Sequence, residues 1–328
     1  MQQGLALLMK VWTACVGAAT LLCALPASAA TEQPVIVQDY EPAPALWKLA
    51  DEDTTIYLFG TIHVLPEGFR WRNAQFDAVV DEVDELVVES TDDDQGGAMG
   101  VAGPKVAAMM EKRAPTSEQL PADVRGKWRK LVEMSGLPFD YTDRVPLMIA
   151  MLSFGMGDFD EDAEDDRPLS TYEFGVETVL EEEFRASDRP IGSIESFSGV
   201  LLSMVRVDDR LVIGDLAKQL RDWNGKSLQP IMGEDGYEDY GDSLSMEHAW
   251  ARGEVQDEME LGFGSGKLER AFRRVLLNRR NAAWVDWLDE RLERPGKVLV
   301  AVGAGHFEGQ NSVLELLAKR GFEVERLN

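Results

Sequence analysis

Cysteine is nearly absent from these 328 residues: Cys15 and Cys23 are the only two, and both fall in an apolar leader. A mature chain without that leader has no thiol, which excludes disulfides and thiolate metal ligands and leaves nitrogen and oxygen donors. Histidine is scarce too, at three residues. Basic charge is short: 33 Lys and Arg stand against 59 Asp and Glu, a formal net charge of −26. Such a chain lacks the basic face that phosphates require, so no nucleic-acid partner is expected.

The leader has the pattern of an export signal. Lys10 precedes an apolar run from Val11 to Leu25, and Pro26-Ala27-Ser28-Ala29-Ala30 offers a small-x-small cleavage site. That run is shorter than the roughly 20 residues of a membrane helix, so no stable membrane span is expected after cleavage. Neither cysteine has the residues before it that a lipid anchor wants. The sequence thus predicts a signal peptide over 1–30, with Met9 as an alternative start to Met1, and a single globular domain over 31–328 located in the periplasm or secreted.

What is present is concentrated in two strings, Gly60-Thr61-Ile62-His63 and Gly303-Ala304-Gly305-His306. Two of the three histidines share one glycine-x-x-histidine frame. Each follows a strand-like run, Thr54 to Phe59 and Val298 to Val302, so each histidine sits past a strand's carboxyl end, where open α/β sheets bind ligands. Repetition of the frame points to two halves of one site. Glu89, after Leu86-Val87-Val88, and Glu195, after Arg189 to Ile194, occupy comparable strand ends.

Elsewhere the spacing predicts a hairpin of Ala45–Ala50 and Thr54–Phe59 around the acidic turn Asp51-Glu52-Asp53, and helices over 73–83, 106–113, 122–134, 146–154, 172–184, 246–261, 267–291 and 311–319. The segment 200–223 reads as mainly helical, and 91–103 and 224–241 as loops. A closing strand is expected over 322–327. Asp158 to Asp166 holds seven acidic residues among nine, a self-repelling block that reads as a solvated loop and lacks the glycine-punctuated spacing of a calcium site. His248, inside a helical stretch with no motif around it, reads as a surface residue. The expected fold is α/β: a central mixed, largely parallel sheet flanked by helices, in a single domain with a helical insertion about 104–260.

Leu46-Trp47-Lys48-Leu49, Leu58 to His63, Leu86 to Glu89, Gly175-Val176-Glu177, Arg189 to Glu195, Arg280 to Trp284 and Val302 to His306 together resemble the TraB/GumN family, whose eukaryotic relatives include the Tiki proteases. The resemblance implies an α/β core related to erythromycin-esterase-like and ChaN-like proteins, and a divalent-metal-dependent protease activity like that of the Tiki relatives. Residue by residue, it places His63 and His306 at the paired histidines and Glu89 at the acidic position, with Glu195 and Asn281 at further family positions. The sequence departs from the family at Glu177, where aspartate is common, and near Arg144-Val145-Pro146.

The expected chemistry is hydrolysis of a peptide or a small-molecule ester or amide. His63, Glu89 and His306 would hold a divalent metal ion (Mn, Co or Zn) that activates water. Glu195 would ligate or orient, and Arg280 or Asn281 would stabilise an oxyanion. Two alternatives use the same residues: a metal-independent His/Glu esterase-like hydrolase, and a non-enzymatic haem- or peptide-binding protein.

Overall fold

The computed structural model describes residues 36–91, 103–155, 170–226, 244–257, 261 and 266–328. The expected leader, the acidic block 158–166 and most of the expected loops over 91–103 and 224–241 lie outside the described residues.

β1 (Leu46–Ala50) and β2 (Thr54–Thr61) form the expected hairpin. Its acidic turn is closed by Asp51 Oδ1, which accepts from the Thr54 amide at 2.8 Å and the Asp53 amide at 3.1 Å. With β4 (Glu85–Val88), β6 (Ile191–Ser193), β7 (Gly296–Gly303) and β8 (Val324–Arg326) they make one six-stranded sheet of order β6-β4-β7-β2-β1-β8. β6, β4, β7 and β2 are mutually parallel and only β1 runs against its neighbours, so the sheet is mixed and largely parallel. A second, small sheet pairs β3 (Leu65–Pro66) with β5 (Ser170–Thr171).

The central strands are apolar on both faces because helices cover both. In β2, Tyr57 and Phe59 point into one core and Ile56 and Leu58 into the other; in β7, Leu299 and Ala301 alternate in the same way with Val298, Val300 and Val302. One face is covered by α1 (Ala74–Glu82), whose Asn73 side chain caps the Phe76 amide at 2.9 Å, and by α2 (Val176–Ala186). The other face is covered by α3 (Arg279–Leu292) and α4 (Val313–Lys319).

A separate apolar core, built around Trp128, Phe154, Leu216 and Phe272, belongs to helices at 103–112, Arg125–Met134, Leu147–Gly155, Phe197–Val205, Ile213–Asp222 and Lys267–Arg273. This helical layer is not one continuous stretch. Residues 170–193 interrupt it with β5 of the small sheet, α2 against the six-stranded sheet and β6 within it, because Ile191–Ser193 finds parallel partners along Leu86–Val88. Among the described residues no helix is long and apolar enough to cross a membrane.

Three local expectations change. The helix expected over 172–184 is a 3-10 turn, Tyr172–Phe174, and then α2, broken at Gly175. The helix expected over 246–261 is Ser245–Ala251 and ends before Gly253, which has φ +78°. His248 on that helix is buried, not a surface residue: its Nδ1 meets the Tyr40 hydroxyl at 2.6 Å, and its ring packs against Phe69 and Tyr40. Residues far upstream in sequence supply that shelter.

Candidate active site

Four parallel strands end at the same edge, and the residues that follow them stand in the spatial order Glu195, Glu89, His306, His63. The two glycine-x-x-histidine frames touch. Gly60 pairs with Val302 and Thr61 with Gly303 in parallel register. A methyl group built on Gly60 would lie 3.0 Å from the Ala304 Cα, so glycine there lets the second motif's backbone approach. The Trp250 indole N–H fixes the Gly60 carbonyl at 2.8 Å.

Gly303 serves a different purpose. A methyl group at Gly303 would lie 3.1 Å from Glu89 Oε1 and 3.4 Å from His63 Nε2. Glycine leaves room for a carboxylate and an imidazole to converge, and its own N–H donates to Glu89 Oε1 at 2.9 Å. His306 Nε2 stands 3.8 Å from the same oxygen.

Each imidazole is tethered through Nδ1, leaving Nε2 for the shared space. His63 Nδ1 lies 2.8 Å from Glu177 Oε1, which also accepts the Thr61 hydroxyl. His306 Nδ1 meets Asn281 Oδ1, and the amide N–H of Asn281 donates to the Asn311 carbonyl at 2.8 Å, so the oxygen faces the ring and Nδ1 carries the proton. Trp284 stacks on His306 with ring centroids 4.0 Å apart. His63 keeps 55% of its side-chain surface, His306 only 5%. The first histidine faces water and the second forms the inner wall.

Those surroundings drive the two histidines apart. The Glu177 carboxylate, outweighing burial, raises His63 to about 9, so it carries charge at neutral pH. Burial, reinforced by the charge of Arg280, lowers His306 to about 3 and keeps it neutral. Burial also opposes ionisation of Glu89, but Arg280, the imidazoles and the Gly303 N–H outweigh it and hold the carboxyl well below the usual range. Burial raises Glu195 above its ordinary value despite Arg280 and the Trp284 N–H.

Arg280 is the centre of a buried ion network. Its Nε donates to both Glu195 oxygens at 2.9 and 3.0 Å, its Nη2 reaches Glu195 Oε1 at 2.6 Å and also Glu89 Oε2, and its Nη1 donates to the Leu276 carbonyl at 2.9 Å. The single helix expected over 267–291 contains a π-helical turn, Arg274–Asn278, just before Arg280. Such turns re-aim the residues that follow them. The Trp284 indole N–H completes the Glu195 shell at 3.0 Å.

The structure therefore brings His63, Glu89, Glu195, Arg280, Asn281 and His306 into one network. Arg280 and Asn281 are occupied by protein partners, which makes them supports for the carboxylates and for His306. Glu177, Thr61 and Trp284 belong to the same network without having been singled out as site residues. Trp284 was within reach of sequence reasoning, since it sits one helical turn after Arg280. Glu177 stood in the Gly175-Val176-Glu177 family landmark, but nothing local links residue 177 to residue 63.

The family model described as TraB/PrgY/gumN family matches residues 45–326, which contain the whole network. The chain belongs to the TraB/PrgY/gumN family. No curated protein and no solved structure matches it significantly. In this TraB/PrgY/gumN protein, no three His, Cys, Asp or Glu side chains among the described residues form a group that could hold a metal ion. The guanidinium of Arg280 pairs with Glu89 through Oε2, which leaves Oε1 facing His306 Nε2 at 3.8 Å.

Proposed function

We propose that the protein is a hydrolase that activates water between His306 and Glu89 and acts on a peptide or a small-molecule ester or amide. One observation carries this reading: two tethered imidazoles open their Nε2 atoms, beside a carboxylate, onto one glycine-floored space. His306 Nε2 and Glu89 Oε1 are two acceptors 3.8 Å apart, a separation that one water at about 2.8 Å from each would span. Such a water directs both hydrogens at the protein and a lone pair outward.

In the proposed step the water oxygen bonds to the substrate carbonyl carbon as its proton passes to His306 Nε2. The carbonyl oxygen becomes an oxyanion that accepts from the charged His63 Nε2–H. Collapse expels the alkoxide or amine, which takes the proton from His306. Charging His306 in this step works against burial and Arg280 and is aided by the Trp284 face and the Glu89 carboxylate. Two titratable groups of one kind, pushed to opposite states, give the acid and base assignments. The leader pattern supports a periplasmic or secreted location.

A second reading, a divalent ion (Mn, Co or Zn) on His63, Glu89 and His306, is favoured by one feature: both histidines use Nδ1 on a protein acceptor and leave Nε2 free, as metal ligands do. It requires the donors to draw closer and Glu89, paired with Arg280 through Oε2, to ligate through Oε1. The test is a panel of esters, amides and peptides with the mature protein and its His306→Ala and Glu89→Gln variants, each with and without chelator. Turnover that survives chelation and falls about 100- to 10,000-fold in the variants supports the first reading. Turnover lost on chelation and restored by one of the three metals replaces it with the second. A folded protein without turnover on any substrate overturns both.

A further inference from the structure

We infer that Glu177 is the positioning residue of the reaction, acting through His63. The inference rests on the hydrolase reading and deepens it. Glu177 lies in the first turn of α2, and the start of that helix is fastened directly to the first histidine motif. The Val176 amide donates to the Ile62 carbonyl at 3.0 Å. At Gly175 a methyl group would lie 2.0 Å from the His63 carbonyl oxygen, so only glycine lets the helix start this close. The small sheet adds a second tie, pairing Leu65, two residues after His63, with Thr171.

The Glu177 carboxylate and the His63 ring are therefore set by one joint of backbone contacts. Glu177 Oε1 takes two donors, the Thr61 hydroxyl and His63 Nδ1, and its side chain is only 16% exposed while the ring is 55% exposed. A ring with 55% of its surface open to water takes less hold on its χ2 angle from packing than an enclosed one. The carboxylate supplies that hold, keeping Nδ1 inward and Nε2 over the Gly303 floor. Glu177 itself touches no reacting atom; Arg280, Asn281 and Trp284 serve the other half of the site.

The scarcity of histidine makes a direct test practical. With three histidines in the chain, long-range proton–nitrogen spectra of histidine-labelled protein are assignable from the His63→Ala and His306→Ala spectra. Glu177→Ala is expected to move the His63 nitrogen signals, leave those of His306 in place, lower kcat about 100-fold and leave KM within about twofold. Added formate is expected to restore at least about tenfold of the lost rate in Glu177→Ala and none in His63→Ala. Glu177→Gln, which retains an acceptor for Nδ1–H, serves if the alanine variant does not fold, and is expected to keep the ring in place. Unchanged His63 signals in Glu177→Ala overturn the inference, as does an unchanged kcat. Signals that move in a wild-type background lacking all turnover overturn the hydrolase reading instead.

Discussion

Replacing Arg280 by methionine is expected to destabilise the protein by about 3–5 kcal/mol at neutral pH, the range for removing one partner of a buried ion pair. Methionine keeps the apolar stem and removes the charge. Arg280, Glu89 and Glu195 are 14%, 19% and 14% exposed, so water cannot replace the guanidinium fully. Glu89 would retain the Gly303 N–H and Glu195 the Trp284 N–H. An independent route bounds the same number. The variant can relieve the repulsion by protonating one carboxyl, and holding a group of ordinary pKa near 4.3 protonated at pH 7 costs about 3.7 kcal/mol.

The bound falls as pH falls, to about 1 kcal/mol at pH 5. The signs for the two proteins are opposite. In the wild type Glu89 is held below its ordinary range, so its contribution is present above the unfolded carboxyl pKa and is lost as pH falls through the folded one. In the variant both carboxyls rise, the native state binds more protons than the unfolded state, and stability increases on acidification. Urea unfolding at both pH values measures the gap, and Arg280→Met combined with Glu195→Gln is expected to recover part of it. A deficit below about 1 kcal/mol at neutral pH, or one that does not shrink at pH 5, would refute the reasoning.

Three further perturbations separate the parts of the site. Gly303→Ala places a methyl group 3.1 Å from Glu89 Oε1 and 3.4 Å from His63 Nε2 and, on the proposed hydrolase reading, is expected to reduce turnover at least about 100-fold; unchanged kinetics would show that the proposed reaction does not use that space. Trp284→Phe keeps a ring against His306 but removes the donor to Glu195, for an expected loss of about 1.5–3 kcal/mol in urea titrations, with Trp284→Leu costing more because the stacking goes as well. His63 is raised to about 9 by Glu177, so its stabilising contribution is fully present below the ordinary histidine pKa of about 6.5 and is lost as pH rises through 9. His63→Gln should flatten that alkaline slope in melting curves taken between the two values, and an unaltered slope would assign it to other groups.

The sheet was legible because its central strands are buried on both faces and therefore read as short apolar runs, and because glycine-x-x-histidine marks the ends of β2 and β7. Glu89 and Glu195 were legible as strand-end carboxylates. The partners of these residues were not. Glu177 meets His63 across 113 intervening positions through a tertiary joint, and no periodicity records such a contact. His248 looked like a surface residue because its shelter comes from Tyr40 and Phe69, on a segment that packs from elsewhere. The π-helical turn before Arg280 left the helical spacing of apolar residues close to ordinary, so the pattern showed one long helix where three segments follow one another.

Repetition of the motif gives the two histidines equivalent places at the sheet edge, and their partners then make them different. His63 faces water and is paired with a carboxylate, which stabilises its charge; His306 is enclosed and close to a guanidinium, both of which oppose charge. Strand order decides which histidine receives which environment. β7 runs between β4 and β2, so His306 is flanked by Glu89 and by the helix that carries Arg280, Asn281 and Trp284, while β2 places His63 beside the start of α2. If the strands carrying the motifs were exchanged, the sequence strings would be the same and the charge states reversed. The motif alone therefore specifies a pair of imidazoles, and the topology leaves one charged and the other neutral.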